Sequence, residues 1–268
     1  MTETDNPAVE AYDTLAGIYD LAIPDPAGFT DFYLDSCRGV ETVLYVGCGT
    51  GRLLAGMAES GILVVGVDPS TEMLRRAQER LDSMASRVPN SRDVELTVDQ
   101  LPELGSQEGR LYDRVIAAGG AFEYLMTTRD QIAALRRMGE LLTPDGQLLI
   151  DVAAPPFASR TPRGNYVGDG SASSDDSLGP DGSASLVKSS EVRFAYDHFH
   201  QVLESRCHFY LHEQDDPVAV AYRTRYTTIA EWRMLLPLAG LRGQIFGGFR
   251  GEPVTRNSSN FVISAGVA

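Results

Sequence analysis

A glycine-rich turn constrains the fold of this chain more than any other feature of the sequence. Residues 43–46 form a short apolar run, and the sequence Gly-Cys-Gly-Thr-Gly follows at positions 47–51. Short apolar runs that end in glycine are typical of buried parallel strands. Glycine permits positive φ and lets a ligand approach the backbone closely. The pattern therefore predicts a strand, then a ligand-binding turn, then a helix.

The turn differs from the dinucleotide fingerprint Gly-x-Gly-x-x-Gly. That fingerprint would place its third glycine at position 52, where this chain has Arg52. A nicotinamide-linked oxidoreductase is therefore the disfavoured alternative.

Strands and helices alternate through the first part of the chain. Apolar runs predict strands at 63–68, 94–98, 114–117 and 147–152, and amphipathic patterns predict helices at 53–60, after Ser70 and Thr71, and at 130–142. The Thr-Pro-Asp-Gly sequence at 143–146 predicts a turn. Alternating strands and helices predict an α/β fold with a parallel sheet.

The sequence as a whole predicts five segments. They are an N-terminal helical cap (1–40), the core (41–155), a mobile loop or lid that includes Tyr166 (156–190), an antiparallel substrate ribbon with a turn at 215–217 (191–226), and a C-terminal completion of the core (227–268). The lid is predicted because residues 156–190 are polar and aperiodic, and limited proteolysis is expected to cut there first.

Charge and composition exclude several classes of protein. The formal net charge is −14 and Lys188 is the single lysine, so no basic stripe for nucleic acid is present. No apolar run approaches the ~18 residues of a membrane span, and residues 1–7 do not resemble a signal peptide. The three cysteines show no disulfide or zinc spacing. These features predict a cytoplasmic protein without membrane or nucleic-acid partners, and they leave a homodimer open.

Two of the predicted strands end in polar residues that suit a nucleoside. Asp68 closes the second strand, where a carboxylate can accept both ribose hydroxyls. An acid that favours a helix N-terminus is the alternative. Asp99 and Gln100 close the third strand and can accept from an adenine amine, although Asp99 also suits an ordinary turn.

Residues 43–51, 64–74, 98–101, 112–118 and 136–152 resemble, in order and spacing, the motifs of class I methyltransferases that use S-adenosyl-L-methionine (SAM). The resemblance covers about residues 11–155 well and the rest more loosely. It is to small-molecule methyltransferases of bacterial secondary metabolism and antibiotic biosynthesis, including amino-sugar and amine N-methyltransferases. It implies a Rossmann-like, mostly parallel seven-stranded sheet with the last strand antiparallel, SAM as cofactor, and a small-molecule acceptor.

The resemblance also implies a set of cofactor contacts. The glycine turn passes the methionine part, Asp68 holds the ribose, Asp99 and Gln100 frame the adenine, and Gly119 lies near the methionine carboxylate. Two tyrosines of the cap close over the cofactor. The set is Tyr12, Tyr19, Gly47, Cys48, Gly49, Gly51, Asp68, Pro69, Asp99, Gln100, Leu101 and Gly119. One departure is Tyr45, where the family usually has an acid that helps hold the methionine ammonium. Tyr45 at this position implies altered or weaker cofactor contacts, or compensation by a carbonyl or another acid. It also leaves open a methyltransferase fold that no longer methylates.

Candidate catalytic residues follow the fourth strand and lie in the ribbon. The resemblance implies that Glu123 contacts the acceptor, and an ordinary loop acid is the alternative. His200 and His208 are candidate bases, because His198, His200, His208 and His212 would share one face of an uninterrupted strand. A metal site at His198, His200 and His208 is the alternative, but no metal is predicted. Methyl transfer to N or O needs mainly in-line alignment. We expect the acceptor between the cap and residues 191–226. A non-methylating rearrangement or cyclisation, with SAM structural or absent, is the rival function.

Overall fold

The structure, a computed structural model, describes residues 7–84, 94–155, 186–212 and 214–268. These residues form two compact units, a larger one (25–155 and 225–268) and a smaller one (7–24 and 186–224). The predicted lid falls almost entirely outside the described residues, as does Tyr166, and both stay predictions. Residues 187–190 are the exception, because they begin a strand.

The larger unit is built on a seven-stranded sheet. Its strands are β1 (Thr42–Val46), β2 (Leu63–Asp68), β3 (Val94–Val98), β4 (Tyr112–Ala117), β5 (Leu142–Ala153), β9 (Leu241–Phe246) and β10 (Asn260–Val267). The order across the sheet is β3-β2-β1-β4-β5-β10-β9. The first five strands pair in parallel, and β10 is antiparallel to both of its neighbours. The predicted Rossmann-like fold with an antiparallel last strand is confirmed.

Helices cover both faces of this sheet. They are α3 (Phe29–Ser36), α4 (Arg52–Glu59) and α5 (Thr71–Met84) on one face, and α6 (Thr128–Glu140) and α7 (Ile229–Leu238) on the other. Alternate residues of β1 point to opposite faces. Tyr45 packs in the core beneath α3 and α4, whereas Leu44 packs in the core beneath α6 and α7. Two one-turn 3-10 helices, Gly105–Gln107 and Ala121–Tyr124, follow β3 and β4.

The smaller unit combines two helices with a three-stranded antiparallel sheet. Its elements are α1 (Pro7–Leu15), α2 (Tyr19–Ala22), β6 (Val187–Asp197), β7 (Val202–Leu211) and β8 (Val218–Arg225), in sheet order β6-β7-β8. Its core joins Leu15 and Ile18 to Phe209 and Val220. The odd-numbered residues of β7 from Ser205 to Leu211 are buried, so His208 lies on the other face.

Several element boundaries differ from the sequence prediction. The ribbon has a second turn at residues 198–201, so it contains three strands and not two. The predicted turn at 143–146 lies inside β5, where the register with β4 shifts. Helix α3 belongs to the larger unit, because Phe29 and Tyr33 pack in the core of that unit. None of the helices in the described part of the chain is long and apolar enough to cross a membrane.

Candidate functional site

The glycine turn after β1 requires three positive φ angles. Gly47, Gly49 and Gly51 have φ of +70°, +55° and +77°, and Gly51 precedes the first residue of α4. The N–H groups of Gly47 and Cys48 donate to the Val67 carbonyl at 2.8 and 3.1 Å, which ties the turn to β2. The turn is therefore fixed by backbone conformations that favour glycine.

Gly47 and Gly49 serve different purposes. A Cβ at Gly47 would lie 2.6 Å from the Ala121 Cβ, so this glycine lets the segment after β4 pack against the turn. A Cβ at Gly49 would meet nothing within 4 Å, so this glycine faces open space. Gly119, after β4, also has positive φ (+64°) and open space beside it. The open positions are where a ligand could approach the backbone.

Alanine at these two glycines is expected to have separable effects. Both changes carry the cost of a left-handed residue, roughly 1–2 kcal/mol. Gly47→Ala adds a clash and is expected to lower the melting temperature further than Gly49→Ala. Gly49→Ala is expected to weaken binding of S-adenosylhomocysteine (SAH) even at temperatures where the variant is fully folded. Thermal unfolding and calorimetric titration of both variants check this. Equal stability losses with unchanged SAH affinity would contradict it.

Asp68 connects the turn to the start of α5. Its Oδ2 accepts from the Gly49 N–H and its Oδ1 from the Ser70 N–H, both at 2.9 Å, and the residue is buried at 8% exposure. Ser70 in turn accepts from the Met73 N–H at 3.0 Å. Asp68 therefore fixes the shape of the turn and places a carboxylate at the carboxyl end of β2.

Asp99 is held in a local turn after β3. Its Oδ1 accepts from the Gln100 N–H and its Oδ2 from the Ser106 N–H, both at 2.8 Å. These bonds fix the loop that carries Gln100 and Leu101. The ordinary turn role that the sequence left open is thus present. Contact with adenine stays a prediction for Asp99 and Gln100, and contact with the cofactor stays a prediction for Leu101 and Pro69.

The sequence did not point to a buried hydrogen-bonded group beside Gly119. Asp151 near the end of β5 accepts from the Tyr33 hydroxyl at 2.6 Å and from the Gly119 N–H at 2.9 Å, both at Oδ1. Asp151 is 3% exposed and Tyr33 is fully buried. Burial raises the pKa of Asp151 to about 6, and these two hydrogen bonds offset part of the rise. A carboxylate inside the apolar run 148–152 was the signal that could have found it.

Glu123 lies on the 3-10 helix after β4, close to Asp151. Its Oε1 accepts from the Ala153 N–H at 2.5 Å. Burial raises the pKa of Glu123 to about 7, and the negative charge of Asp151 adds to the rise. The residue is only part-buried by surface area. Glu123 is therefore a carboxyl group whose pKa lies close to neutral pH and which retains some access to solvent.

Cys48 and Tyr45 are buried near the turn. Burial raises the pKa of the Cys48 thiol well above its usual range, which favours the neutral thiol, and the side chain packs in the core of the larger unit. Tyr45 is 6% exposed. Burial and the neighbouring Asp151 raise the pKa of Tyr33, and Tyr45 adds to that rise. Residue 45 therefore contributes no carboxylate to this face of the sheet.

The candidates in the smaller unit fall into two groups. Tyr12 contacts Tyr19 and Tyr222, at ring-centroid distances of 5.9 and 6.1 Å. His200 lies in the turn between β6 and β7, where its Nδ1 is 2.6 Å from Asp197 Oδ2. His208 lies within β7, and its Nδ1 is buried without a hydrogen-bond partner among the described residues. The shared strand face predicted for the histidines is wrong, because the turn removes His198 and His200 from the strand.

No three His, Cys, Asp or Glu side chains converge as metal ligands in the ranges that the structure describes. The alternative of a metal site at His198, His200 and His208 therefore has no support from the geometry.

Comparison with known proteins identifies the larger unit. Residues 43–146, which contain the glycine turn, Asp68, Asp99, Gly119 and Glu123, match the family model of the methyltransferase domain. This range of the chain is similar to methyltransferase domains, and the Rossmann-like sheet that contains it has the fold of a solved methyltransferase. The cofactor of this chain is SAM, which the residues fit: open glycines at positions 49 and 119 and a fixed carboxylate at Asp68 suit close approach of a nucleoside and its amino-acid chain.

Relatives of this methyltransferase domain differ in how much of the chain they cover. A cypemycin N-terminal methyltransferase from a Streptomyces species is 27% identical over 97% of this chain and 95% of its own length. The putative methyltransferase YqeM of Bacillus subtilis is 32% identical, but the match spans only 41% of either chain. The solved structure of the CcbJ methyltransferase from Streptomyces caelestis covers all of both chains with a TM-score of 0.79 at 24% identity. The methyltransferase fold thus extends over the whole chain.

Proposed function

We propose that this chain transfers the methyl group of SAM to a nitrogen or oxygen atom of a small-molecule intermediate of natural-product biosynthesis, and that nitrogen is the favoured acceptor atom. The relative that matches almost the full length is named an N-terminal methyltransferase. A structural neighbour, CalS10, is described as an amino pentose methyltransferase of calicheamicin biosynthesis. We further propose action in the cytoplasm, where Cys37, Cys48 and Cys207 would stay free. A homodimer stays a prediction.

The residues of the domain would act mainly by positioning. When bound, SAM supplies a methyl group on a positively charged sulfur. Transfer to an aligned nucleophile gains mostly from proximity and orientation. The turn at 47–51 and Asp68 would hold the nucleoside and the amino-acid chain, so that the methyl group has one orientation.

Glu123 is the observation that favours an amine acceptor. An amine arrives protonated at neutral pH and must lose a proton before its nitrogen can attack. Partial burial raises the pKa of Glu123 to about 7, and the negative charge of Asp151 adds to the rise. A carboxyl group with a pKa near the working pH is suited to accept that proton. Its Oε2 has no hydrogen-bond donor among the described residues, so one oxygen is available.

Turnover of four variants tests the catalytic assignment. Tyr19→Phe, Glu123→Gln, His200→Gln and His208→Gln are each assayed with labelled SAM and the true acceptor. Glu123→Gln is expected to lower kcat by about 10²–10⁴-fold, the usual range for loss of a general base. Melting temperatures are expected to stay within a few degrees of the wild type. Full turnover in all four variants would contradict the assignment of Glu123 and the histidines.

The rival function is a non-methylating rearrangement on the same fold, and Tyr45 in place of an acid is the feature that favours it. The two functions differ in the fate of the methyl group. Consumption of the acceptor with all label retained in SAM would support the rival.

A further inference from the structure

One oxygen of the buried Asp151 carboxylate, Oδ2, has no hydrogen-bond partner among the residues that the structure describes. The Tyr33 hydroxyl and the Gly119 N–H both donate to Oδ1, at 2.6 and 2.9 Å. Across the described ranges of the chain, no donor reaches Oδ2. The side chain is 3% exposed. Oδ2 is not among the fully buried atoms that lack a partner, so a ligand can reach it, and a carboxylate in these desolvated surroundings favours an incoming donor.

The charges around Asp151 make a cation the favoured donor. Apart from burial, the negative charge of Asp25 raises the pKa of Asp151, and the charge of Asp151 raises that of Glu123. Arg52 is engaged by Asp25 at 3.1 Å. No ion pair involves Asp151 in the part of the chain that the structure describes. A cation from outside the chain would therefore stabilise three neighbouring acids at once.

Asp151 lies on the same face of the sheet as the glycine turn's neighbour Tyr45. Tyr45 is in register with Ile116 of β4, and Ile116 with Leu149 of β5. Asp151 is two residues beyond Leu149, so its side chain points to the same face. A Cβ added to its partner Gly119 would meet nothing within 4 Å, so there is open space beside this glycine. The free oxygen therefore belongs to the edge of the sheet where β1 and β4 end.

We propose that Asp151, held in place by Tyr33 and Gly119, binds the α-ammonium group of SAM. SAM carries two positive groups, and only the ammonium has N–H donors that can reach a carboxylate oxygen. A charge-assisted hydrogen bond of this kind is about twice as strong as a neutral one. The inference rests on the proposed function only in using SAM as the cofactor, and it is independent of the acceptor.

Binding of two ligands by calorimetry tests the assignment without turnover. The ligands are SAH and an analogue of SAH in which hydrogen replaces the α-amino group. The wild type is expected to bind SAH at least about tenfold more tightly than the analogue. Asp151→Asn is expected to bind the two ligands with nearly equal affinity. Asparagine keeps an acceptor for Tyr33 and Gly119, so this variant is expected to fold.

Two further variants make the result specific. Tyr33→Phe is expected to reduce the preference for SAH by a few-fold, because the carboxylate loses its fixed orientation. Asp113→Asn alters a carboxylate at the start of β4 and is expected to keep the wild-type preference. If Asp151→Asn keeps the full preference, Asp151 does not bind the ammonium, and a cationic acceptor becomes the ligand of its free oxygen. A wild type that binds neither ligand would overturn the use of SAM, and with it both proposals.

Discussion

Asp68→Ala is expected to weaken SAH binding by about 10–150-fold, which corresponds to ~1.5–3 kcal/mol for lost charge-assisted hydrogen bonds. Asp68 has two tasks that the substitution removes together. Its two oxygens fix the Gly49 and Ser70 N–H groups at 2.9 Å, and its carboxylate is the group predicted to accept from the ribose hydroxyls. The loss therefore combines a less ordered turn with missing ligand contacts, and calorimetric titration with SAH measures it.

Asp113 provides a matched control for Asp68. Asp113 Oδ2 accepts from the Glu41 and Thr42 N–H groups, both at 3.0 Å, at the amino-terminal edge of the sheet. Asp113→Ala thus also removes a carboxylate that binds two backbone N–H groups. We expect this variant to lose stability and to keep its SAH affinity. SAH affinity that is unchanged in Asp68→Ala, or lowered equally in both variants, would remove Asp68 from the cofactor site.

Asp151→Asn is expected to raise the free energy of unfolding of the ligand-free protein at pH 8, by roughly 1–3 kcal/mol. Burial holds the pKa of Asp151 at about 6 in the folded state, against an ordinary 3.8. At pH values between these two pKa values, the folded state therefore binds more protons than the unfolded state. Stability contributed by this group falls as pH rises from about 4 to about 6, and it stays low above that range. Asparagine does not titrate, so the variant does not lose this stability as pH rises.

The pH dependence separates this prediction from a general stabilisation. At pH 4 Asp151 is neutral in the folded protein, and the Asn variant is expected to match the wild type. Chemical unfolding at pH 4 and pH 8 measures both differences. A variant that is less stable than the wild type by the same amount at both pH values would contradict a desolvated carboxylate at this position.

Asp113→Asn gives the opposite pH dependence. Burial alone would raise the pKa of Asp113, but the Glu41 and Thr42 N–H groups outweigh it and hold the pKa below its ordinary value. A group whose pKa is lower in the folded state than in the unfolded state stabilises the folded state at pH values above its unfolded pKa. This contribution is lost as pH falls through the folded pKa. Asp113→Asn is therefore expected to cost stability at pH 8 and progressively less at acidic pH.

The cofactor turn could be predicted from sequence patterns within a short stretch of the chain. The strand, the glycines and Asp68 lie within residues 43–68, and their conformations depend mostly on neighbours in sequence. The Asp151–Tyr33 bond joins residues 118 positions apart, on β5 and α3. No local rule relates them, because the bond forms only when α3 packs on the sheet. Asp151 could have been suspected as a charge within an apolar strand, but its partner could not.

The turn in the smaller unit shows a different limit. Residues 198–201 contain no glycine or proline, and Gln201 adopts a positive φ of +58°. Asp197 supports the turn by accepting from the Phe199 and His200 N–H groups at 3.0 and 3.1 Å. Such Asp-initiated turns are a recognised pattern, but the even spacing of the histidines favoured an uninterrupted strand. The opposite error occurred at 143–146, where Pro and Gly lie within β5 at a register shift.

Methyl transfer by the wild-type protein is the most direct test of the account. The protein is incubated with SAM that carries an isotopically labelled methyl group and with candidate small-molecule amines, and products are analysed by mass spectrometry. We expect the label on an acceptor nitrogen, with SAH formed in equal amount. Tight binding of SAH with no label in any acceptor, while an acceptor is still consumed, would contradict the proposed methyl transfer and support the rearrangement.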